Sequence, residues 1–449
     1  MAGRGAFNSR IGFIMAAVGS AVGLGNLWRF PYLVSENGGA TFVLLYLAML
    51  FLIGLPALMA ELSLGRRAQK SAVQAFQEGG KTKAWGIGGY LAIAGAIILL
   101  SYYSVIAGWA LKYFFSGFTG AFFDDPAGFF GDISTSSNSV LFHLLFMAMT
   151  IGILVRGVGP GIEKANLIMM PILFLSIVAL VIYGNVLEGA HAGREFYIFK
   201  AEASAFKFES FDQFSELMNN AAGQTFFSVG LGIGTMLTYS SYMSRDVNLQ
   251  TTGLTIGLAD TGVALLAGFM VFPILFAFGL DDLISGPSSV GGLFIVLPSA
   301  FAAIGGALGI IFGVSFFLML SFAALSSALS LLEVPVSTVI DRTNWGRTRA
   351  VLLVGLPVYI LGIPSAISTN FFTFMDDIIN NILLLLGGLV LTLYVGWVRP
   401  DTLKEMVVGT KNGLDWSKYW IAVIRYPLPV LLTGLLGLGL YNFGRTYLF

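Results

Sequence analysis

The sequence contains no cysteine and two histidines, and only 11% of its 449 residues are charged, summing to zero net charge. Without cysteine, disulfides and thiol chemistry are excluded outright. His143 stands alone and His191 lies in a polar loop, which argues against a His-ligated metal site. A balanced charge with no basic cluster among aromatics argues against nucleic acid as a partner. No nucleophile and base pair, metal motif or cofactor loop is present, so neither an enzyme nor an organic cofactor is expected. Soluble domains carry charge at roughly a quarter of positions. A chain with less than half of that, and 56% hydrophobic residues, is expected to be an integral membrane protein.

Apolar runs long enough to span, about 20 residues each, recur from end to end. They predict one all-α membrane domain over 1–449 with about eleven helices: 9–34, 39–67, 84–118, 139–156, 161–185, 217–243, 250–280, 306–342, 349–366, 372–397 and 421–446. Basic residues concentrate in alternate loops, at Arg10, Arg66, Arg67, Lys81, Arg156, Lys164, Arg245, Arg347 and Lys411. The positive-inside rule therefore puts the N-terminus in the cytoplasm and the C-terminus outside. The opposite loops are acidic, as at Asp124, Asp125, Asp281 and Asp282. The first span lacks a small-residue cleavage site and is not expected to be a signal peptide.

The tetrapeptide Val-Gly-Leu-Gly occurs at Val22–Gly25 and again at Val229–Gly232, each inside an apolar span. Glycine lets a helix unwind, and unwound backbone survives at membrane depth only where protein, ions or ligand complete it. Paired interruptions in two halves point to a transporter's binding site. Helix packing through small residues is the plainer alternative. Each copy opens a block of five spans, which predicts two inverted repeats, 1–185 and 217–397, with 421–446 as an additional helix.

Oxygen-bearing residues flank both breaks: Ser20 and Asn26 at the first, Gln224, Thr225 and Ser228 at the second. Hard cations need such ligands. Asp260 lies within an apolar span, where a carboxylate costs about 2.5 to 3.5 kcal/mol on insertion scales and must meet a cation, a proton or a polar cavity. Hydrogen bonding to neighbouring helices is the structural alternative for Asp260, and for Glu61 and Glu333. Tyr102, Tyr103, Phe226 and Phe227 offer aromatic walls.

The run Gly19-Ser-Ala-Val-Gly-Leu-Gly-Asn26-Leu-Trp-Arg29-Phe-Pro31, with Gln224-Thr-Phe-Phe-Ser228 and Ala323-Ala-Leu-Ser-Ser327, closely resembles the neurotransmitter:sodium symporter family, the solute carrier 6 type. Eleven rather than twelve helices is similar to its prokaryotic amino-acid transporters. The resemblance implies symport of sodium with an amino acid across the plasma (inner) membrane. It implies two sodium sites: Ala21, Asn26, Ser228 and Asp260, then Gly19, Val22, Ala323, Ser326 and Ser327. It implies a substrate pocket of Ala21, Leu24, Gly25, Leu99, Tyr103, Phe226, Phe227, Ser228, Gly230, Ile233, Ser327 and Leu331, suited to neutral hydrophobic or aromatic residues. Arg29 and Asp376 resemble the outer gate; Arg4 and Asp341, with Phe7 and Tyr242, resemble the inner latch. Asp260 departs from chloride-dependent members, which have Asn there and Ser where this chain has Ala264. Chloride independence is expected, with proton antiport if the acid protonates on the empty return step. A channel, a membrane enzyme and a receptor that binds without transporting are the competing readings. Oligomeric state is not legible.

Overall fold

The computed structural model describes residues 5–79, 83–201, 208, 210–245, 247–280, 289–408 and 416–448. Arg4, Lys81, Asp281, Asp282 and Lys411 lie outside the described residues. Among those described, the backbone is helical almost throughout and contains no strand. That is what long apolar runs require, because a helix satisfies its backbone polar groups within one segment.

Helices α1 (Arg10–Ala21) and α2 (Gly25–Glu36) form one interrupted span bent by 44°. Next come α3 (Ala40–Ala68), α4 (Lys83–Gly117), α5 (Ser137–Leu154) and α6 (Val158–Val186). A second interrupted pair follows, α7 (Phe211–Val229) and α8 (Thr235–Ser240). The chain then continues through α9 (Leu249–Ala277), α10 (Gly306–Arg342), α11 (Arg347–Ile367), α12 (Thr369–Val398) and α13 (Pro427–Tyr447). Among the described residues nine helices are long and apolar enough to cross a membrane, or ten with the α1–α2 pair. The expected span 217–243 is not in that count, for a physical reason. Helix α7 carries Asp212, Glu216, Asn219 and Gln224, and α8 has six residues.

The two interruptions are built differently, although the tetrapeptide is the same. After α7 the glycines at 230, 232 and 234 adopt φ of 71°, 80° and 73°. That left-handed region costs a side-chain-bearing residue roughly 1–2 kcal/mol. Glu61 of α3 closes this break: its Oε1 accepts from the Gly232 amide at 2.7 Å and its Oε2 from the Leu237 amide at 3.2 Å. A carboxylate at the start of α8 also complements the helix dipole. At the first break the demand is for space instead. A Cβ on Gly23 would lie 2.5 Å from Ser327 Oγ, and one on Gly25 would lie 2.8 Å from the Phe227 ring.

Large apolar side chains at Leu175, Val178, Ile182 and Val186 are exposed along one stripe of α6, and Leu352, Leu356 and Ile360 along α11. Such stripes face lipid rather than water. Inside this shell α1 packs on α6, α9 and α10, while α8 packs on α3 and α10. Both breaks therefore sit at the centre of the bundle.

Candidate functional site

Asn26, in the first turn of α2, is fully buried. Its Nδ2 donates to Ser228 Oγ at 3.0 Å, to the Asp260 carbonyl at 2.9 Å and to Asp260 Oδ1 at 2.8 Å. Ser228 Oγ donates to Asp260 Oδ2 at 2.7 Å, and Asn26 Oδ1 accepts the Gly23 amide at 3.0 Å. Thus α2, α7 and α9 bring one amide, one hydroxyl and one carboxylate together beside the first break. A buried carboxylate needs such donors or a cation, since its desolvation is otherwise uncompensated. Ala264, one turn on from Asp260, is buried and adds no hydroxyl.

A second set of oxygens joins α1 to α10. Ser327 Oγ donates to the Ser20 carbonyl at 3.1 Å and to the Ala323 carbonyl at 3.3 Å. Ser326 Oγ donates to the Ala323 carbonyl at 2.9 Å. Gly19 is on the last turn of α1, which packs on α10, and Val22 caps it; the Val22 amide still reaches the Val18 carbonyl at 2.7 Å. Helix α1 thus presents the Ser20 carbonyl to a hydroxyl of a neighbouring helix.

Between these sets lies a small cavity of about 20 Å³. Its lining includes Ala21, Gly25, Leu99, Tyr103, Phe227, Gly230, Ile233, Ser327 and Leu331. The Tyr103 hydroxyl accepts the Leu24 amide at 3.2 Å, which ties Leu24, itself not in the lining, to a lining residue. Ser228 turns to Asp260 instead of the cavity. Phe226, expected as a wall, is a correction: its ring packs where a Cβ on Gly388 would sit, 2.4 Å away. Adjacent helical residues point in different directions, so Phe226 and Phe227 cannot share one face. The structure adds Ser20, Gly23, Thr235 and Ser330 to the lining. Of these Ser20 and Gly23 had a sequence signal, their place beside and within the first break.

The outer pair faces one vestibule, which both Arg29 and Asp376 line. No direct ion pair joins them. Arg29 donates to Gln224 Oε1 at 3.0 Å and lies over the Phe227 ring at 5.4 Å. Asp376 Oδ1 accepts from Tyr102 and from Asn380, each at 2.8 Å. On the other side of the bundle, Phe7 meets Tyr239 at 5.7 Å and Tyr242 at 6.4 Å, edge to face. Asp341 Oδ2 accepts the Ser71 amide at 2.7 Å. The Tyr242 hydroxyl donates to Glu333 Oε1 at 2.6 Å, and Arg347 forks onto both Glu333 oxygens at 3.1 and 2.6 Å. Glu163, which sequence reasoning missed, accepts the Asn8 amide at 2.6 Å and the Ser9 hydroxyl at 2.9 Å, tethering the segment before α1.

The family model described as the sodium:neurotransmitter symporter family matches residues 4–124 and 131–448. The chain belongs to that family. This symporter is 33% identical to the uncharacterized sodium-dependent transporter YhdH of Bacillus subtilis, over 97% of this chain and 98% of that protein. It is also 33% identical to an uncharacterized sodium-dependent transporter of Haemophilus influenzae, covering 96% of each. Among solved structures, MhsT in complex with L-phenylalanine superposes with a TM-score of 0.88 at 39% identity, covering 97% of the symporter and 100% of MhsT. Sodium dependence and a multi-span helical fold are properties of the symporter's family. Its two oxygen clusters and the cavity between them are where that dependence has to be explained.

Proposed function

We propose that this symporter imports neutral hydrophobic or aromatic L-amino acids with two sodium ions, by alternating access. The observation that carries the reading is the cavity itself, with Leu99, Phe227, Ile233 and Leu331 along its walls and an oxygen cluster beside it on either side. An apolar side chain would match those walls in polarity once the cavity opens around it, while a charged one would find no counter-charge among the lining residues. The substrate carboxylate would take the amides at Leu24 and Gly25 and the Tyr103 hydroxyl, at the start of α2 where the dipole favours an anion.

The first sodium would be held by the Ala21 carbonyl, Asn26, Ser228 and Asp260, with the substrate carboxylate as a further ligand. In this reading Asn26 turns its oxygen inward and the cation takes over the oxygens that Nδ2 now satisfies. The second would be held by carbonyls of Gly19, Val22 and Ala323 with the Ser326 and Ser327 hydroxyls, tying α1 to α10. Asp260 supplies a fixed negative charge, so transport would be chloride-independent, and its protonation in the empty carrier would couple uptake to proton antiport.

The 1–185 and 217–397 halves would be inverted repeats that rock about this site, with α13 outside the repeat. Arg29 and Asp376 would close it above, with Phe227 as lid, and Arg4 and Asp341 below, beside Phe7 and Tyr242. The protein would sit in the plasma (inner) membrane with its C-terminus outside. Two sodium ions crossing a 100 mV inside-negative potential release about 4.6 kcal/mol; one proton carried outward would take back about 2.3 kcal/mol, leaving roughly fiftyfold accumulation from the potential alone. Counterflow in liposomes with a labelled amino-acid panel, with and without sodium, tests the reading. Apolar and aromatic amino acids should exchange only with sodium; exchange of charged amino acids alone would overturn it.

A further inference from the structure

We infer that the elbow between α12 and α13 is a binding site for an anionic phospholipid, whose phosphate meets Arg425 in the headgroup layer. The leaflet is the cytoplasmic one in the orientation proposed above; the site itself needs neither that orientation nor the substrate reading. A short helix, Ser417–Arg425, leads into α13 and packs on the end of α12. It buries Trp420 and Ile424 and exposes Lys418 and Tyr419, with Trp416 exposed just before it. Trp397, at the end of α12, and Tyr426, at the start of α13, are exposed as well. Exposed tryptophan and tyrosine mark the headgroup level of a membrane protein.

Within this aromatic belt Arg425 is a cation without an anion. Its guanidinium carbon lies 5.6 Å from the centre of the Trp397 ring and 5.8 Å from that of Tyr426. The two rings meet edge to face at 5.8 Å. The Trp397 indole N–H donates to the Arg425 carbonyl at 2.8 Å, and a Cβ on Gly396 would lie 3.4 Å from Arg425 Cγ. These contacts fix the ring and the base of the arginine together. Aromatic faces hold a guanidinium in place without neutralising it. Among the described residues no carboxylate pairs with Arg425, and its Nε is buried without a hydrogen-bond partner. The carboxylates of the adjoining turn, Pro400–Val407, are already taken, Asp401 by Arg67 and Arg399 and Glu405 by Arg66.

Charge decides which lipid fits. Lys418 and Arg425 are two helical turns apart, so they share one face of the short helix at a separation of about 10 Å. A zwitterionic headgroup would bring its ammonium beside these cations with no carboxylate left to receive it. A headgroup whose only charge is its phosphate brings no such repulsion, and basic clefts at the cytoplasmic ends of membrane helices suit it. The tail has a place too. Tyr426, Val430, Gly434 and Gly437 follow one face of α13, and Leu431 is exposed beside them. A Cβ on Gly434 or Gly437 would meet nothing within 4 Å, so the two glycines leave a shallow apolar trough running up from the elbow. An acyl chain lies in that trough while its phosphate sits at Arg425, a combination that a soluble phosphate does not offer.

The test is lipid binding to the purified, delipidated protein in detergent, read by native mass spectrometry, with phosphatidylglycerol and phosphatidylcholine of the same acyl chains as probes. Wild type should bind the first phosphatidylglycerol at least about fivefold more tightly, the scale of one basic side chain near a lipid surface. Arg425→Gln should lower that ratio about fivefold, and Arg425→Lys should keep most of it. Lys164→Gln, which removes an exposed charge from α6, should leave it unchanged. Equal affinities in wild type, or a ratio that Arg425→Gln leaves intact, would overturn the inference. So would a lipid-free dimer that Arg425→Gln breaks into monomers, since the elbow would then hold a second copy of the chain. The measurement needs no sodium, substrate or sealed membrane, so its outcome is independent of the transport reading.

Discussion

Ser327 Oγ donates to the Ser20 carbonyl at 3.1 Å, joining α10 to the last turn of α1 just before that helix breaks. The contact links a long continuous helix to an interrupted one. If sodium occupies the oxygens around it, the ion would add attraction between two elements that separate in the proposed alternating-access cycle. Its departure then frees α1 to move.

Ser326→Ala should weaken sodium activation of uptake by about 3- to 10-fold, the scale of one lost oxygen ligand or hydrogen bond. The sodium concentration for half-maximal uptake measures this. An unchanged sodium dependence would remove Ser326 from the ion site.

Replacing external chloride with gluconate at constant sodium should leave wild-type uptake unchanged if, as proposed, the Asp260 carboxylate that Ser228 and Asn26 surround supplies the fixed negative charge. Asp260→Asn removes that charge and keeps the shape. Uptake by the variant should become chloride-dependent or fall at least about tenfold, as expected when a buried charged hydrogen-bond acceptor is neutralised. Chloride dependence in the wild type would contradict the assignment.

Glu61→Ala should destabilise the fold by about 2 to 6 kcal/mol, since the Gly232 and Leu237 amides would each lose a buried acceptor at roughly 1–3 kcal/mol apiece. Thermal unfolding in detergent reads the change. Glu61→Gln, which keeps one carbonyl oxygen, should fall between the two.

The glycines of the twin tetrapeptides should fail in different ways. At Gly232 a Cβ would sit 2.2 Å from the Leu384 carbonyl oxygen, and φ is 80°. Gly232→Ala should therefore reduce folded protein, because a backbone oxygen cannot step aside. Gly23→Ala should leave a folded protein that binds substrate poorly, since it intrudes on Ser327 Oγ and the Tyr103 hydroxyl. Expression level and substrate binding, measured side by side, separate the two outcomes.

Long apolar runs made the membrane-helical fold legible in the sequence, because burying backbone in lipid leaves few alternatives. Polar residues beside the two glycine motifs likewise marked Asn26 and Ser228, and an acid inside an apolar span marked Asp260; the fold brings the three within hydrogen-bond distance. Other features depend on directions that a one-dimensional pattern does not carry. Phe226 and Phe227 are neighbours in sequence but face Gly388 and the cavity respectively. Thr235 and Ser330 carry no sequence signal, and they share a cavity because α8 packs on α10. Glu163 carries no sequence signal, and only its contact with Asn8 and Ser9 reveals it as a tether.

Labelled phenylalanine counterflow in proteoliposomes, run with sodium and with potassium in its place, tests the central claim most directly. The account predicts saturable exchange in sodium that unlabelled apolar amino acids inhibit, and none in potassium. Exchange that proceeds equally without sodium, or ion current with no saturable substrate binding, would contradict it.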